Sequence, residues 1–305
     1  SDPYRLVIDV HSQTMTATNL GANSDMTSEA ERKSQQGGSA FYDPQLSLTR
    51  ELGLKITRIA IDPGHGGYDT GTSGPQGLLE KDLCLDVALR LGQLIKENIP
   101  GAEVIYTRKD DRHVPLEERT SIANDANADL FISIHANSSD SRQTRGVETY
   151  YVSLAASRES RDLATRENAL AESSLHNLPD LLKKITRNEK LTESKQLAAD
   201  LQSSLSQRLQ LVSRQETNRG VKQAPFIVLT GANMPAVLSE ISFVSNASDE
   251  SLLFQGAQRQ RVAEGLFRGV VTYLDNMQGA ARPKQKLITE NRSSAAARPD
   301  RGSQR

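Results

Sequence analysis

The alternation of short apolar runs with helical stretches between residues 55 and 277 constrains this chain more than any other feature. Runs of strand length occur at 56–61 (ITRIAI), 102–107 (AEVIYT), 129–135 (DLFISIH), 146–152 (GVETYYV), 226–229 (FIVL) and 236–241 (AVLSEI). Between them, Leu83, Val87, Leu91 and Leu94 recur at helical spacing over 80–98. Residues 115–127 open on Pro115, suited to a first helical position, and 249–276 reads as one final helix. Strands alternating with helices predict an α/β domain whose central sheet is covered on both faces. Sites in such sheets form where strands end and loops begin, and both His65 and His135 stand at strand ends.

The flanks read differently. Apolar residues make up 36% of the 305 and aromatics 4%, below the roughly 45–50% apolar share of compact domains, so part of the chain is expected to lie outside a core. Residues 12–54 are rich in Ser, Thr, Gln, Asn and Gly and read as a disordered linker. Residues 278–305 read as a disordered basic tail, with seven Lys and Arg against two acids. Residues 4–10 (YRLVIDV) alternate enough for a strand, either the last of a domain truncated upstream or an edge strand of the main domain. The stretch from about 155 to 214 carries no strand pattern and reads as two or three helices inserted between strands. A net charge of −1 argues against a dedicated nucleic-acid binder, and no run of 18 apolar residues offers a transmembrane segment. The single cysteine, Cys84, excludes an internal disulfide and a multi-cysteine metal site.

Four residues stand out chemically. His65 sits in a Pro-Gly-His-Gly-Gly turn directly after an apolar strand, where glycines let a backbone approach a ligand. His135 ends a buried run. Neutral imidazoles are common zinc ligands, and a catalytic zinc often takes three protein ligands. Glu80 opens a helix after a glycine-rich loop and is the candidate third ligand, although the helix dipole alone would also favour an acid there. Glu240 interrupts a strand-like run; a buried carboxylate needs a partner, and this one is the candidate general base.

The segments 61–67 (IDPGHGG), 77–81 (GLLEK), 130–137 (LFISIHAN) and 237–246 (VLSEISFVSN) resemble, in order, the motifs of zinc-dependent N-acetylmuramoyl-L-alanine amidases, the amidase_3 type of cell-wall hydrolase. The resemblance spans about residues 56–275. It implies a mixed sheet of about six strands flanked by helices, Zn²⁺ held by His65, Glu80 and His135, and Glu240 as the catalytic carboxylate. It implies peptidoglycan as substrate, cut at the amide between N-acetylmuramic acid and the L-alanine of the stem peptide, in cell separation or wall remodelling. It also implies an exported protein, periplasmic or cell-wall associated. Residues 1–11 resemble the last strand of an AMIN-type wall-targeting domain. Some members carry a helical insertion that caps the zinc with a Glu until a LytM-type activator removes it. The resemblance thus makes the 155–214 insertion a candidate autoinhibitory element, with Glu167 or Glu172 as its metal contact; a plain helical hairpin is the alternative. Arg108 and Arg119 are candidate contacts for the carboxylates of the stem peptide.

Two rival readings remain at this stage. Two His and one Glu also suit a zinc carboxypeptidase or deacetylase, although the Gly-His-Gly-Gly turn and the 237–246 segment favour the amidase. A non-catalytic wall-binding protein would lack one of the four key residues, and all four are present. The glycine-rich loop 64–77 has no Gly-Lys-Ser/Thr ending and is not read as a phosphate loop.

Overall fold

The computed structural model describes residues 56–171, 190–211 and 217–281, with backbone only for 278–281. Six strands form one sheet: β1 Arg58–Pro63, β2 Glu103–Tyr106, β3 Leu130–Asn137, β4 Val147–Val152, β5 Asn218–Ala224 and β6 Ala236–Phe243, in the order β2-β1-β3-β6-β4-β5. Every pairing is parallel except β4 with β6, so the sheet is mixed. The helices are α1 Glu80–Asn98, α2 Leu116–Asp125, α3 Arg158–Glu167, α4 Leu191–Gln210, α5 Ile227–Thr230, α6 Ala247–Leu253 and α7 Gly256–Ala281.

The period-2 alternation of the strands sorts the core into two layers. Ile59 and Ile61 of β1 and Leu130, Ile132 and Ile134 of β3 face one apolar cluster, shared with Leu83, Val87 and Leu91 of α1, Leu197, Leu201 and Leu205 of α4, and Val262 and Leu266 of α7. Ala60 and Phe131 face the other, with Ala123 of α2, Leu163 and Ala164 of α3, and Val228 and Leu229 of α5. The layers are separate because neighbouring residues of one strand point to opposite faces. α1 runs over the predicted residues and buries Leu83, Val87 and Leu91 as its spacing requires.

Several elements differ from expectation. Phe226–Leu229 is not a strand: Ile227–Thr230 forms a short helix. The fifth strand is instead Asn218–Ala224, a half-exposed polar stretch (NRGVKQA) at the sheet edge. An edge strand with one neighbour can remain polar, which hides it from a search for apolar runs. The final helix is two: α6 ends at Leu253 and α7 begins at Gly256, running to Ala281, past the 278 boundary expected for the tail. Pro115 caps α2 from outside rather than occupying its first turn. Residues 1–55 and 282–305, with the expected strand, linker and most of the tail, lie outside the described residues, as do Glu172 and His176.

Candidate metal centre

His65, Glu80, His135 and Glu167 come together although they arise from four separate stretches of chain. One ligand atom from each lies within 4.8 Å of all the others. His65 Nε2 is 3.1 Å from Glu80 Oε1 and 3.3 Å from Glu167 Oε2; His135 Nδ1 is 3.2 Å and 3.1 Å from the same two oxygens.

Each side chain is held by its own element. His65 follows β1 with φ of 58°, a left-handed conformation that strains a non-glycine residue. Two buried guanidiniums hold that turn by its carbonyls: Arg119 donates to Pro63 and His65, Arg108 to Pro63 and Gly64. Arg119 also donates to Asp62 at 2.9 Å, and Asp62 accepts from Thr107 and Ser133 as well. Both arginines are thus 1% exposed parts of the framework rather than contacts for a stem peptide. Asp69 lies 3.0 Å from His65 Nδ1; assigning the ring proton to that nitrogen leaves Nε2 a free lone pair. Glu80 is the first residue of α1; its Oε2 accepts from the Thr72 amide and its Oε1 from the Ala136 amide. His135 packs over Gly64, where any Cβ would lie 2.5 Å from the imidazole, so the close approach requires glycine. Glu167 is the last residue of α3.

Three of the converging atoms, His65 Nε2, His135 Nδ1 and Glu167 Oε2, are buried with no hydrogen-bond partner. Buried polar atoms in native proteins are nearly always satisfied, so three orphans aimed at one point mark a missing ligand. Two imidazole nitrogens and two carboxylate oxygens are the donor set of a borderline divalent cation. The electrostatics agree. Burial alone would depress both imidazoles, yet Glu80, Asp69 and Glu167 hold His65 well above its ordinary range, and Glu167 and Glu80 push His135 up to about 10. Burial would raise Glu80, but the two imidazoles hold it well below the usual carboxylate range. The site calls for positive charge.

Glu240 is not among the converging donors. It is the register partner of His135 on one side and of Glu148 on the other, fully buried, with neither oxygen hydrogen-bonded. Burial first, then Glu167, Glu80 and Glu148, raise it well above the usual carboxylate range. His113 is half-buried and stacks on Tyr68, outside this cluster. Sequence reasoning missed Asp69 and Glu148. Asp69 is signalled by its place four residues after His65; Glu148 only by a charge inside the apolar run 146–152.

An α/β sheet with a buried two-histidine, two-carboxylate cluster at its strand ends is the framework of a candidate metal-dependent enzyme. The model of the Amidase_3 family, N-acetylmuramoyl-L-alanine amidase, matches residues 59–272, and the chain belongs to that family. It is 36% identical over 215 residues to the N-acetylmuramoyl-L-alanine amidase LytC of Bacillus subtilis strain 168, covering 70% of this chain but 35% of LytC. It is 32% identical over 220 residues to AmiA of Escherichia coli K12, covering 70% of this chain and 75% of AmiA. The solved catalytic domain of CwlV, the amidase of Bacillus (Paenibacillus) polymyxa var. colistinus, superposes with a TM-score of 0.56 at 31% identity, covering 72% of this chain and 99% of that one. The chain is accordingly an enzyme of the peptidoglycan amidase class, and the mixed six-stranded sheet is the catalytic fold of that family. No helix among the described residues is long and apolar enough to cross a membrane.

Proposed function

We propose that this domain hydrolyses the amide between N-acetylmuramic acid and L-alanine with a zinc ion held by His65, Glu80 and His135, and that α3 keeps it shut. The observation that carries the reading is the convergence of orphaned ligand atoms: His65 Nε2, His135 Nδ1 and Glu167 Oε2 point at one place beside Glu80 Oε1. When bound, the ion supplies Lewis acidity, polarising the scissile carbonyl and making a nearby water easier to deprotonate. Glu240 is the general base. Burial and the neighbouring carboxylates Glu167, Glu80 and Glu148 raise its proton affinity, the direction wanted in a group that takes a proton from water and returns it to the leaving amine. Asp69 orients His65, while the Arg108 and Arg119 clamps hold its strained turn in place.

Glu167 supplies a fourth ligand atom, a second carboxylate, where an open position is needed for substrate. The closed state is therefore autoinhibited, and activity requires α3 to leave. A separate activator, of the LytM type in the resemblance, would draw it away. The substrate places the domain outside the cytoplasmic membrane, in the periplasm or at the wall, with a role in cell division.

The test is a pair of variants. Glu240→Gln is expected to keep about one equivalent of bound zinc while hydrolysis of purified sacculi falls by about 10²–10⁴-fold. Glu167→Ala is expected to raise hydrolysis several-fold without any activator. Full turnover in Glu240→Gln, or release of a sugar or an internal peptide end instead of an L-alanine amine, would overturn the reading.

A further inference from the structure

Glu148 has four side-chain partners and does not touch the reacting atoms. It is fully buried in the middle of β4. Its Oε2 accepts from the Tyr150 hydroxyl and from Asn137 Nδ2; its Oε1 accepts from Arg219 Nε and from Lys222 Nζ at 2.8 Å. One carboxylate thus faces two cations, and the burial that would raise it is outweighed by Lys222, Tyr150 and Arg219. The surplus charge is met by one more acid, Glu159 on α3, at 3.0 Å from Arg219 Nη2 and 3.6 Å from Lys222 Nζ. Glu159 is largely exposed, with a side chain 65% accessible, whereas the two cations are about a quarter and a fifth accessible. Both cationic heads are preorganised over rings, Arg219 over Phe243 and Lys222 over Tyr150.

The sheet register relates this pair to the metal centre. His135 pairs with Glu240, Glu240 with Glu148, and Lys222 with Tyr150, two residues along β4 from Glu148. These residues share one face, so a row runs from the metal cluster on β3 across β6 and β4 to the cations on β5. Three strand spacings put the ends of that row about 14 Å apart. On α3, Glu159 and Glu167 are eight residues apart, or about 12 Å along a helix. α3 therefore lies along the row with one carboxylate at the metal cluster and another at the cations. A helix that blocks a groove by filling both of its charged ends reports the groove's own preferences.

We infer that Arg219 and Lys222, anchored by Glu148, form an anion subsite for a carboxylate of the peptide stem, and that Glu159 occupies it in the closed state. The inference rests on the reading of this domain as a stem-peptide amidase. At about 3.3–3.6 Å per extended residue, the row fits an acid about four residues along the peptide from the scissile bond. In this role the three side chains position substrate and do not touch the reacting atoms.

The experiment measures binding rather than turnover. Full-length, zinc-loaded Glu167→Ala/Glu240→Gln protein is titrated calorimetrically with a muramyl tetrapeptide whose third- and fourth-residue carboxylates are free, and with the same peptide carrying carboxamides there. Adding Glu159→Ala is expected to tighten the free acid about five-fold and leave the carboxamide unchanged, the scale of a partly exposed charge pair. Adding Lys222→Met is expected to erase the acid–amide difference, and Lys222→Arg to restore it; the conservative variant separates a charge effect from a folding defect. Equal binding of acid and amide to the Glu159→Ala protein, or a difference that survives Lys222→Met, would overturn the subsite. Digestion of sacculi by the wild-type enzyme is read separately. Acid-selective binding without digestion would sink the amidase reading and leave the subsite standing; digestion without selectivity would do the reverse.

Discussion

The two described helices between β4 and β5 are joined to the sheet by different physics. α4 buries half of its twenty residues, among them Leu197, Leu201, Leu205 and Leu209. It lies so close to α7 that a Cβ on Gly269 would sit 2.6 Å from the Leu201 Cα. Gln202 ties it to both strands, donating to the Val147 carbonyl and Asn218 and accepting from Thr149. α3 buries only Ser160, Leu163 and Ala164. It is held mostly by polar contacts: Glu167 at the metal cluster, Glu159 on Arg219, and Arg166 on Asn137 Oδ1 and the Ser138 carbonyl. Apolar burial is lost all at once when a helix leaves, whereas the solvent-facing contacts of Glu159 and Arg166 exchange with water at little net cost, and only Glu167 Oε2 is buried. α4 is therefore joined to the sheet as scaffold, and α3 is the helix that the proposed plug role requires to move. A stretch that reads as one insertion divides at that boundary, and only its first part can serve as a plug.

The scaffold side breaks most severely at Asp62. Its carboxylate meets the Arg119 guanidinium at 2.9 Å with both side chains at most 1% exposed. Asp62→Asn leaves a buried cation uncompensated and is expected to cost about 3–5 kcal/mol in urea unfolding. The same pair sets an acid limit. Burial would raise Asp62, but Arg119 with Thr107 and Ser133 holds it below its ordinary value. A depressed carboxylate contributes stability above the unfolded-state pKa of about 3.9 and loses it as pH falls through the lower native value. The wild-type melting temperature is expected to drop steeply below about pH 4, and the Asp62→Asn curve to be flatter there.

Next comes the α4–α7 contact. Leu201→Ala is expected to cost about 2–5 kcal/mol through lost burial and a cavity. Gly269→Ala is expected to cost about 1–3 kcal/mol, because its new methyl meets backbone rather than a movable side-chain end. Neither change touches the metal cluster, so zinc stoichiometry in the surviving folded fraction should be unchanged. A loss of zinc without a loss of stability would mean that α4 belongs to the moving part.

How much of this was legible in the sequence follows the same division. Burial writes itself as apolar periodicity, which is why α1 runs where Leu83, Val87 and Leu91 place it, and why β1, which leads into His65, and the strands carrying His135, Glu148 and Glu240 are visible as apolar runs. β5 was not legible, because an edge strand satisfies itself with polar contacts that leave no apolar period; the division of the insertion into more than one helix was expected, but not which of them would lie over the sheet's polar row. Glu167 was foreseen only as one of two acids by resemblance, since a contact between a helix end and residues about 30 and 100 positions away has no local signature. Asp69, Arg108 and Arg119 support the His65 turn through hydrogen bonds that appear only when the loop is folded. The motifs therefore mark the groups that converge at the candidate metal centre, while the groups that hold them in place have to be read from the fold.

The smallest expected effect sharpens the comparison most. Arg166 donates to Asn137 Oδ1 at 3.2 Å and to the Ser138 carbonyl at 3.0 Å from a largely exposed position. Arg166→Ala removes this latch but leaves Leu163, Ala164 and Glu167 in place. The loss should be about 1 kcal/mol, felt only by the helix that the latch holds. Native-state hydrogen exchange resolves this, because protection reports the free energy of each local opening separately. Wild-type amides of α3 are expected to exchange faster than those of α4, and Arg166→Ala to speed the α3 amides about five-fold while α4 stays unchanged. Basal hydrolysis should rise by a similar factor, since each opening exposes the same groove. Faster exchange in both helices together would mean that α3 and α4 open as one unit, and the division between scaffold and plug would have to be drawn elsewhere.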